Sequence, residues 1–423
     1  MQQADIIVVG GGASGMMAAI TAARAFRQQH HDGRVVLLEK ESRIGKKLLA
    51  TGNGRCNLSN LAVAPERYHD GGDWIREVLH RYSAKNVIRT FEKMGLLCRS
   101  DREGRVYPYN LQSSAVLEIL RMQLALYEAE VFCDQSITAI EGKNGRFRIS
   151  TADGTVWQTE RVILAAGGKA APKLGADGSG TRLAKQLGHE IQPEFPALAP
   201  LKTDPTLVRS LKGMRSQGSV TLLADGKAVQ TEQGEVQFTD YGLSGICVFQ
   251  LSGQVANFLQ QGKQVELSLD LMTDWKEQQL TKQIAGQGKR YKDLPTQELL
   301  CGFINQRVGQ AVVKQALGNT APETAGDCTF EQYGVIAHAV KDFRFPVLGT
   351  VGWESAQITG GGVICKEVNP ITMESKRCSG LYLTGELLEV YGDCGGFNLH
   401  LAWSSGMAAG EACAESLRKE EQK

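Results

Sequence analysis

Gly10-Gly-Gly12-Ala-Ser-Gly15 and Glu39 are the residues whose types and spacing suit nucleotide chemistry. Gly10 permits a tight turn, Gly12 leaves the backbone bare for a pyrophosphate, and Gly15 lets a helix pack close on a strand. At Ala13 and Ser14 the free N–H groups and the positive end of a helix dipole would meet phosphate oxygens. Glu39 lies roughly twenty residues further on, where a ribose-binding acid belongs. A carboxylate there accepts hydrogen bonds from ribose hydroxyls and repels a 2′-phosphate. The nucleotide is therefore FAD or NAD rather than NADP. The alternative is a glycine-rich turn followed by a solvated glutamate.

Acid–base candidates are few. Cys56 follows Arg55, whose charge would favour the thiolate, although a lone cysteine is more often a small packed hydrophobe. His400 heads the last helix and could donate to a ligand or simply pack. Asp240 and Tyr241 could face an active site. The ten cysteines show no C-x-x-C pair and no His/Cys ligand spacing, so neither a metal site nor a thioredoxin-type relay is expected.

The elements that must position these groups follow from the hydrophobic pattern. Ile6 to Val9 reads as a strand buried on both faces, Ala13 to about Arg27 as a helix, and Val35 to Leu38 as a second strand ending at Glu39. One or two helices are expected over Asp73 to Met94. A polar hairpin turning at Glu103-Gly104 and a helix from Ser113 come next. Short strands run from Ala129 to Ile149, with a turn at Gly142 to Gly145. Arg161 to Gly168 suits a strand returning to the first sheet, where Ala165, Ala166 and Gly167 would touch the nucleotide through their backbone, although taken alone the stretch reads better as any buried strand before a glycine turn.

From about Ile191 prolines cluster, and Asp225-Gly226 marks a hairpin. Asp274 to about Leu317 is helical in pattern. The opening style returns beyond Val351, with Gly360 to Gly362 read as a backbone turn and a small-residue helix after Gly392 to His400. The dipole of that helix would stabilise charge on the N1–C2 side of a reduced flavin. A second dinucleotide fingerprint is not evident.

The 423 residues allow two or three domains, and the net charge of +1 gives no general argument for nucleic acid or an anionic membrane as partner. No stretch has the apolar length of a membrane span, the N-terminus shows no basic leader, and scattered cysteines fit a reducing cytoplasm. The expected fold is α/β. A FAD-binding domain spans 1–190 plus 352–423, an inserted β-rich domain 191–272 plus 327–351, and a helical subdomain 273–326.

Gly10 to Gly15 with Glu39, Gly52-Asn-Gly-Arg-Cys-Asn57, Ala165 to Gly168, Phe238 to Gly245, Thr359 to Val363, Met373 to Lys376, Gly385-Glu386 and Gly395-Gly-Phe-Asn398 together resemble the HI0933-like family. These are BaiN-like or aminoacetone-oxidase-like flavoproteins, and the matching runs keep the family's order along nearly the whole chain. The resemblance implies non-covalent FAD in a Rossmann-like domain of the glutathione-reductase type, split between the two ends of the chain. Gly12 to Gly15 would hold the pyrophosphate and Glu39 the ribose. Lys47, Gly52, Asn53, Gly54, Arg55, Cys56 and Asn57 would lie beside the pyrophosphate and isoalloxazine. Glu386 would reach the ribityl chain, and Asn398 and Leu399 the pyrimidine end. Lys40, Ile137, Gly362, Gly385 and Gly396 complete the expected cofactor set. Phe397 stands where tyrosine is common, and His400 where glutamine is common.

The expected activity is a FAD-dependent oxidoreductase, foremost an NAD(P)H-linked reductase of a C=C or C=N bond in a small molecule. NADH or NADPH would be a transient donor. An amine oxidase releasing peroxide is the first alternative. An RNA-modifying enzyme is the second; Lys276, Lys282, Lys289, Arg290, Lys292, Arg307 and Lys314 could meet phosphates, although a solvated helix face is the better reading of them. A non-catalytic flavin-binding protein ranks last. Composition is silent on oligomeric state.

Overall fold

Residues 1–143 and 145–421 are described by the computed structural model. Asn144, inside the turn expected at Gly142 to Gly145, lies outside the described residues. The chain divides into two compact units, Met1–Phe195 with Gln357–Lys423, and Pro196–Ala356.

The first unit is organised by β1 (Gln2–Val9), α1 (Ala13–Gln28) and β2 (Val35–Leu38). β1 lies between parallel neighbours on both sides, with Ile6 opposite Val35 and Arg161, and Val9 opposite Leu38 and Leu164. A strand covered on both faces has no solvated side, which is why Ile6 to Val9 reads as an unbroken apolar run. Two helices form over Gly72–Arg81 and Ala84–Lys93, separated because the Ser83 side chain caps the second by accepting from Asn86 N–H. α2 (Ser113–Leu126) leads to β3 (Glu130–Phe132), which extends the parallel sheet beyond β2. β4 (Ile137–Lys143), β5 (Arg146–Thr151) and β6 (Val156–Leu164) follow, antiparallel to one another, and β6 returns beside β1.

The second unit is a closed barrel with helices packed on it. Its strands are β7 (Leu201–Thr203), β8 (Arg215–Ala224), β9 (Lys227–Phe238), β10 (Gly242–Ser244), β11 (Val265–Asp270) and β12 (Phe343–Thr350). Inward residues alternate along the strands, as with Val265, Leu267 and Leu269 on β11. Asp225 and Gly226 both take positive φ, +50° and +74°, the conformation a two-residue hairpin turn requires. The helices Ile246–Gln260, Glu277–Arg290, Gln306–Leu317 and Phe330–Lys341 share one apolar core with the barrel, where Leu251, Leu280, Val312 and Ile336 meet Val220 and Phe345.

After Ala356 the chain completes the first unit. Gly360 to Gly362 do not form the expected turn but lie inside β13 (Ile358–Val363). Their bareness serves close packing. A Cβ on Gly360 would meet the Phe195 ring, and one on Gly362 would stand 2.5 Å from the Leu387 carbonyl oxygen. β14 (Leu381–Leu383) runs parallel to the end of β6. The last helix, α3 (Phe397–Glu421), crosses α1. Among the described residues, no helix is long and apolar enough to cross a membrane.

At the α1–α3 crossing the backbones almost touch. A Cβ on Gly406 would run into the Ser14 carbonyl oxygen, and one on Gly410 would stand 2.5 Å from the Ala18 carbonyl oxygen. Gly410→Leu should therefore lower unfolding stability by about 2–3 kcal/mol through overpacking. An unchanged urea midpoint at unchanged slope would show that this crossing tolerates separation.

Candidate functional site

The strand–turn–helix corner at the start of the chain is tightly constrained. Gly10 has φ +108°, and a Cβ there would lie 2.5 Å from the Ala165 carbonyl oxygen. A Cβ on Gly15 would run into the Gly10 carbonyl oxygen. Gly12 is different, since a Cβ there would meet nothing within 4 Å. It is the N-cap of α1 and offers no side-chain cap, so the first-turn N–H groups lack helical acceptors at the residue whose side-chain position is empty. That combination suits an oxyanion laid against bare backbone.

Glu39 stands beside this opening. Its Oε2 accepts the Gly11 N–H at 2.6 Å and its Oε1 accepts the Glu41 N–H at 2.8 Å. Burial raises its pKa, while the two N–H bonds act the other way. A carboxylate has about four acceptor positions, so this one is held rigidly and still has capacity for a ribose diol.

Lys47 reaches Glu386 at 2.6 Å. The other Glu386 oxygen accepts from the Thr359 N–H at 3.0 Å and the Thr359 hydroxyl at 2.9 Å. Thr359 Oγ1 in turn accepts the N–H groups of Lys169 and Ala170, at 2.8 and 3.0 Å. Four segments, at Lys47, Lys169 to Ala170, Thr359 and Glu386, are thereby tied together. The sequence placed Lys47 and Glu386 near one ligand but gave Thr359 no role beyond the Thr359 to Val363 run, since a threonine ahead of glycines carries no distinctive spacing. Lys40 pairs with Asp177 at 2.8 Å.

The loop after Lys47 is wound left-handed. Gly52, Asn53, Gly54 and Cys56 have φ of +57°, +55°, +82° and +58°. Such runs aim successive N–H groups to one side, as in anion-binding nests. Arg55 is exposed, and Asn57 is half-buried. Cys56 is fully buried, and burial pushes its thiol up to about 12, so the thiolate suggested by Arg55 does not form.

The remaining expected cofactor residues divide clearly. Gly167 has φ +71°, with open space where a Cβ would be, after Ala165 and Ala166 at the end of β6. Gly385 has φ +69°, donates its N–H to Ser405 Oγ at 3.0 Å, and has no room for a Cβ beside Ser14 Oγ. Gly396, at φ +102°, would clash with the Ser59 carbonyl oxygen. The Asn398 amide is spent on the preceding turn, accepting from Gly392 N–H at 2.7 Å and donating to the Gly392 carbonyl at 2.8 Å. Leu399 packs on the core, and Ile137 opens β4 opposite Thr151. The buried Thr384 hydroxyl, between β14 and Gly385, has no partner among the described residues.

Two acid–base expectations change. His400 is fully enclosed, with Nε2 donating to the Tyr82 carbonyl at 2.8 Å and Nδ1 accepting from Ser59 Oγ at 2.9 Å. With both nitrogens spent, it has no free position for a substrate. Asp240 belongs to the second unit, where it forms an exposed pair with Lys212 at 2.6 Å that holds its carboxyl low. A third group looks catalytic and is not. Ser375, His189 and Glu367 align through bonds of 2.9 and 3.0 Å, but all are buried and Ser375 Oγ already accepts the Arg377 and Cys378 N–H groups. This serine has no approach for a substrate.

Residues 4–412 match the HI0933-like protein Rossmann domain. The chain belongs to the HI0933-like family. A 3-dehydro-bile acid delta(4,6)-reductase of Clostridium scindens is 37% identical over 386 residues, covering 91% of this chain and 93% of the relative. A ribosomal RNA dihydrouridine synthase of Haemophilus influenzae is 28% identical over 394 residues, with 91% and 93% coverage. A 3-ketosteroid delta1-dehydrogenase from Sterolibacterium denitrificans, solved with 1,4-androstadiene-3,17-dione, has a TM-score of 0.50 at 15% identity, covering 98% of this chain and 100% of that one. That last likeness is one of fold. The protein is a FAD-dependent oxidoreductase built on a Rossmann-like FAD-binding domain.

Burial lowers the pKa of His400 from 6.5 to about 4. Between those values the unfolded chain binds a proton that the folded chain refuses, so stability falls as pH drops from about 6.5 towards 4. The contribution is about 3 kcal/mol. Urea midpoints should fall over this range in the wild type and less steeply in His400→Gln. Equal slopes would remove His400 as the source.

Proposed function

We propose that the corner at Gly10, Gly12, Ala13, Ser14, Gly15 and Glu39 holds non-covalent FAD, with the nest at Gly52 to Asn57 alongside. The observation that carries this is the bare Gly12 opening beside a buried, doubly braced Glu39. Gly12 to Gly15 take the pyrophosphate and Glu39 the adenosine ribose. Lys47 and Glu386, fixed by Thr359, face the ribityl region, while Gly396 and the start of α3 face the pyrimidine end. In this reading 1–190 with 352–423 form the FAD-binding domain, 191–272 with 327–351 a β-rich insert, and 273–326 a helical one.

Bound there, FAD supplies two-electron transfer between a nicotinamide donor and an unsaturated acceptor. The chain's own residues exclude water from the corner, hold the diphosphate and ribose, and place a positive helix end at the ring. We infer that the acceptor is a small molecule with a C=C bond conjugated to a carbonyl, supported by the Clostridium relative's action on a 3-dehydro-delta(4,6) bile acid. A uridine ring in RNA presents the same conjugated bond, and the Haemophilus relative favours it as a second substrate class. The higher identity of the bile-acid enzyme ranks the small molecule first.

Anaerobic addition of NADH or NADPH should bleach the visible flavin absorbance, and a 3-oxo-4,6-diene steroid should restore it faster than air. Restoration by uridine-containing RNA alone would move the substrate to RNA. Bleaching by a small amine, with peroxide on admitting air, would overturn the reductase reading. Glu39→Ala should weaken FAD binding about tenfold or more, the loss of roughly 1.4 kcal/mol, and Glu39→Gln should weaken it less. Unchanged flavin content in Glu39→Ala after dialysis sinks the ribose assignment.

A further inference from the structure

The short strand Tyr68–His69 pairs antiparallel with Tyr391–Gly392, placing His69 opposite Tyr391. The Asp393 N–H donates to the Arg67 carbonyl at 2.9 Å, continuing the ladder by one residue. This register sets the Asp393 carboxylate against the imidazole. Oδ1 accepts from His69 Nε2 at 3.0 Å, and Oδ2 accepts from Arg67 at 3.3 Å. The ring lies flat on Tyr391, with centroids 4.7 Å apart and planes 23° apart, and Phe195 packs edge-on against the other partner of that stack at 5.9 Å. The imidazole is thus fixed in plane by an aromatic stack and in tautomer by a carboxylate.

With Nε2 donating to Asp393, Nδ1 carries the free lone pair, and none of the described residues bonds it. The His69 side chain is 29% exposed, against 0% for the sealed His189. A histidine oriented by a carboxylate and open at its other nitrogen has the geometry of a general acid–base group. Its place is also specific. Tyr68 Oη donates to the Phe397 carbonyl at 3.0 Å, and Asn398 clamps Gly392, so the strand is stitched to the first turn of α3. That turn is where the flavin ring is proposed to end, and the inference rests on that reading.

We propose that His69, held by Asp393, is the proton donor of the reductive reaction, with Nδ1 as the exchanging atom. Hydride from the nicotinamide-reduced flavin adds to the β carbon of the conjugated C=C bond. The π pair moves to the α carbon, which takes the proton from Nδ1–H of the imidazolium as that N–H bond breaks, leaving the neutral Nε2–H tautomer on Asp393. Hydride and proton together saturate the bond, the flavin is left oxidised, and the imidazole regains its proton from water. Asp393 is a positioning residue. The charged and titratable groups facing the ring are Asp393, Arg67, the adjacent Asp70 and the Tyr391 phenol. Neither residue carried a sequence signal, since they lie 324 positions apart.

The test uses the FAD-loaded protein and two variants, His69→Gln and Asp393→Asn. Both should keep their FAD content and their bleaching by NAD(P)H. Reoxidation by the 3-oxo-4,6-diene steroid should slow by about 10²-fold or more in His69→Gln and lose its pH dependence, with a smaller loss in Asp393→Asn. Nitrogen-15 NMR of the wild type should show His69 as the Nε2–H tautomer, and Asp393→Asn should disturb it. Variants that bind FAD and reoxidise at the wild-type rate overturn the proposal and leave the cofactor reading intact, as does an Nδ1–H tautomer in the wild type. A purified chain that retains no FAD, or a wild type that does not turn over the dienone, overturns the reading beneath it.

Discussion

The first unit depends on backbone touching backbone. Gly10 lies against Ala165, Gly15 against Gly10, Gly406 against Ser14 and Gly410 against Ala18, and Gly385 is bare beside the Ser14 side chain. Each approach is closer than a Cβ allows, and together they draw β1, β6, β14 and both ends of the chain onto the N-terminal turn of α1. A side chain at any one of them would push apart the segments that frame the open space at Gly12. The opening is therefore a product of close packing around it. Small residues exclude bulk everywhere except where a ligand is proposed to lie.

Around that opening, polar groups act mainly on one another. Glu39 braces Gly11 and Glu41, Glu386 is shared by Lys47 and Thr359, and Asn398 clamps Gly392. A carboxylate braced by two N–H groups cannot swing away when a diol approaches, so little ordering cost remains at binding. The same logic explains why several residues expected to touch cofactor are fully engaged without it. Their side chains build the wall, and in the proposed reading it is their backbones and remaining lone pairs that meet the cofactor. Cys56 and His400 are the extreme cases, since burial removes their proton chemistry while their positions stay within the frame.

Local chemistry was legible from the sequence, and long-range geometry was not. The β1 strand, the helix after it and the turn at Asp225-Gly226 follow from nearest neighbours, because burial on two faces and positive φ both leave a mark on residue choice. Gly360 to Gly362 show the limit. Glycine there accommodates Phe195 and the Leu387 carbonyl, and a glycine needed for packing is indistinguishable in sequence from one needed for a turn. His400 was legible as a helix-leading histidine, but its two partners, Tyr82 and Ser59, come from elements more than three hundred residues earlier. The role of Thr359 was hidden because its partners lie up to 190 residues away.

The contrast among His69, His189 and His400 is what supports the proposed place of proton chemistry in the first unit. His189 and His400 each have two partners and are buried, so neither has a nitrogen open to a substrate, and at His400, whose partners are both neutral, adding a proton would place an uncompensated charge in an apolar surround. His69 has one carboxylate partner, one aromatic face and one open nitrogen. Such a ring can gain and lose a proton without reorganising its neighbours, because the groups that orient it are fixed by a β ladder rather than by the proton itself. A group meant to deliver a proton at a defined point needs that independence, and in this fold it comes from pairing two residues each from opposite ends of the chain.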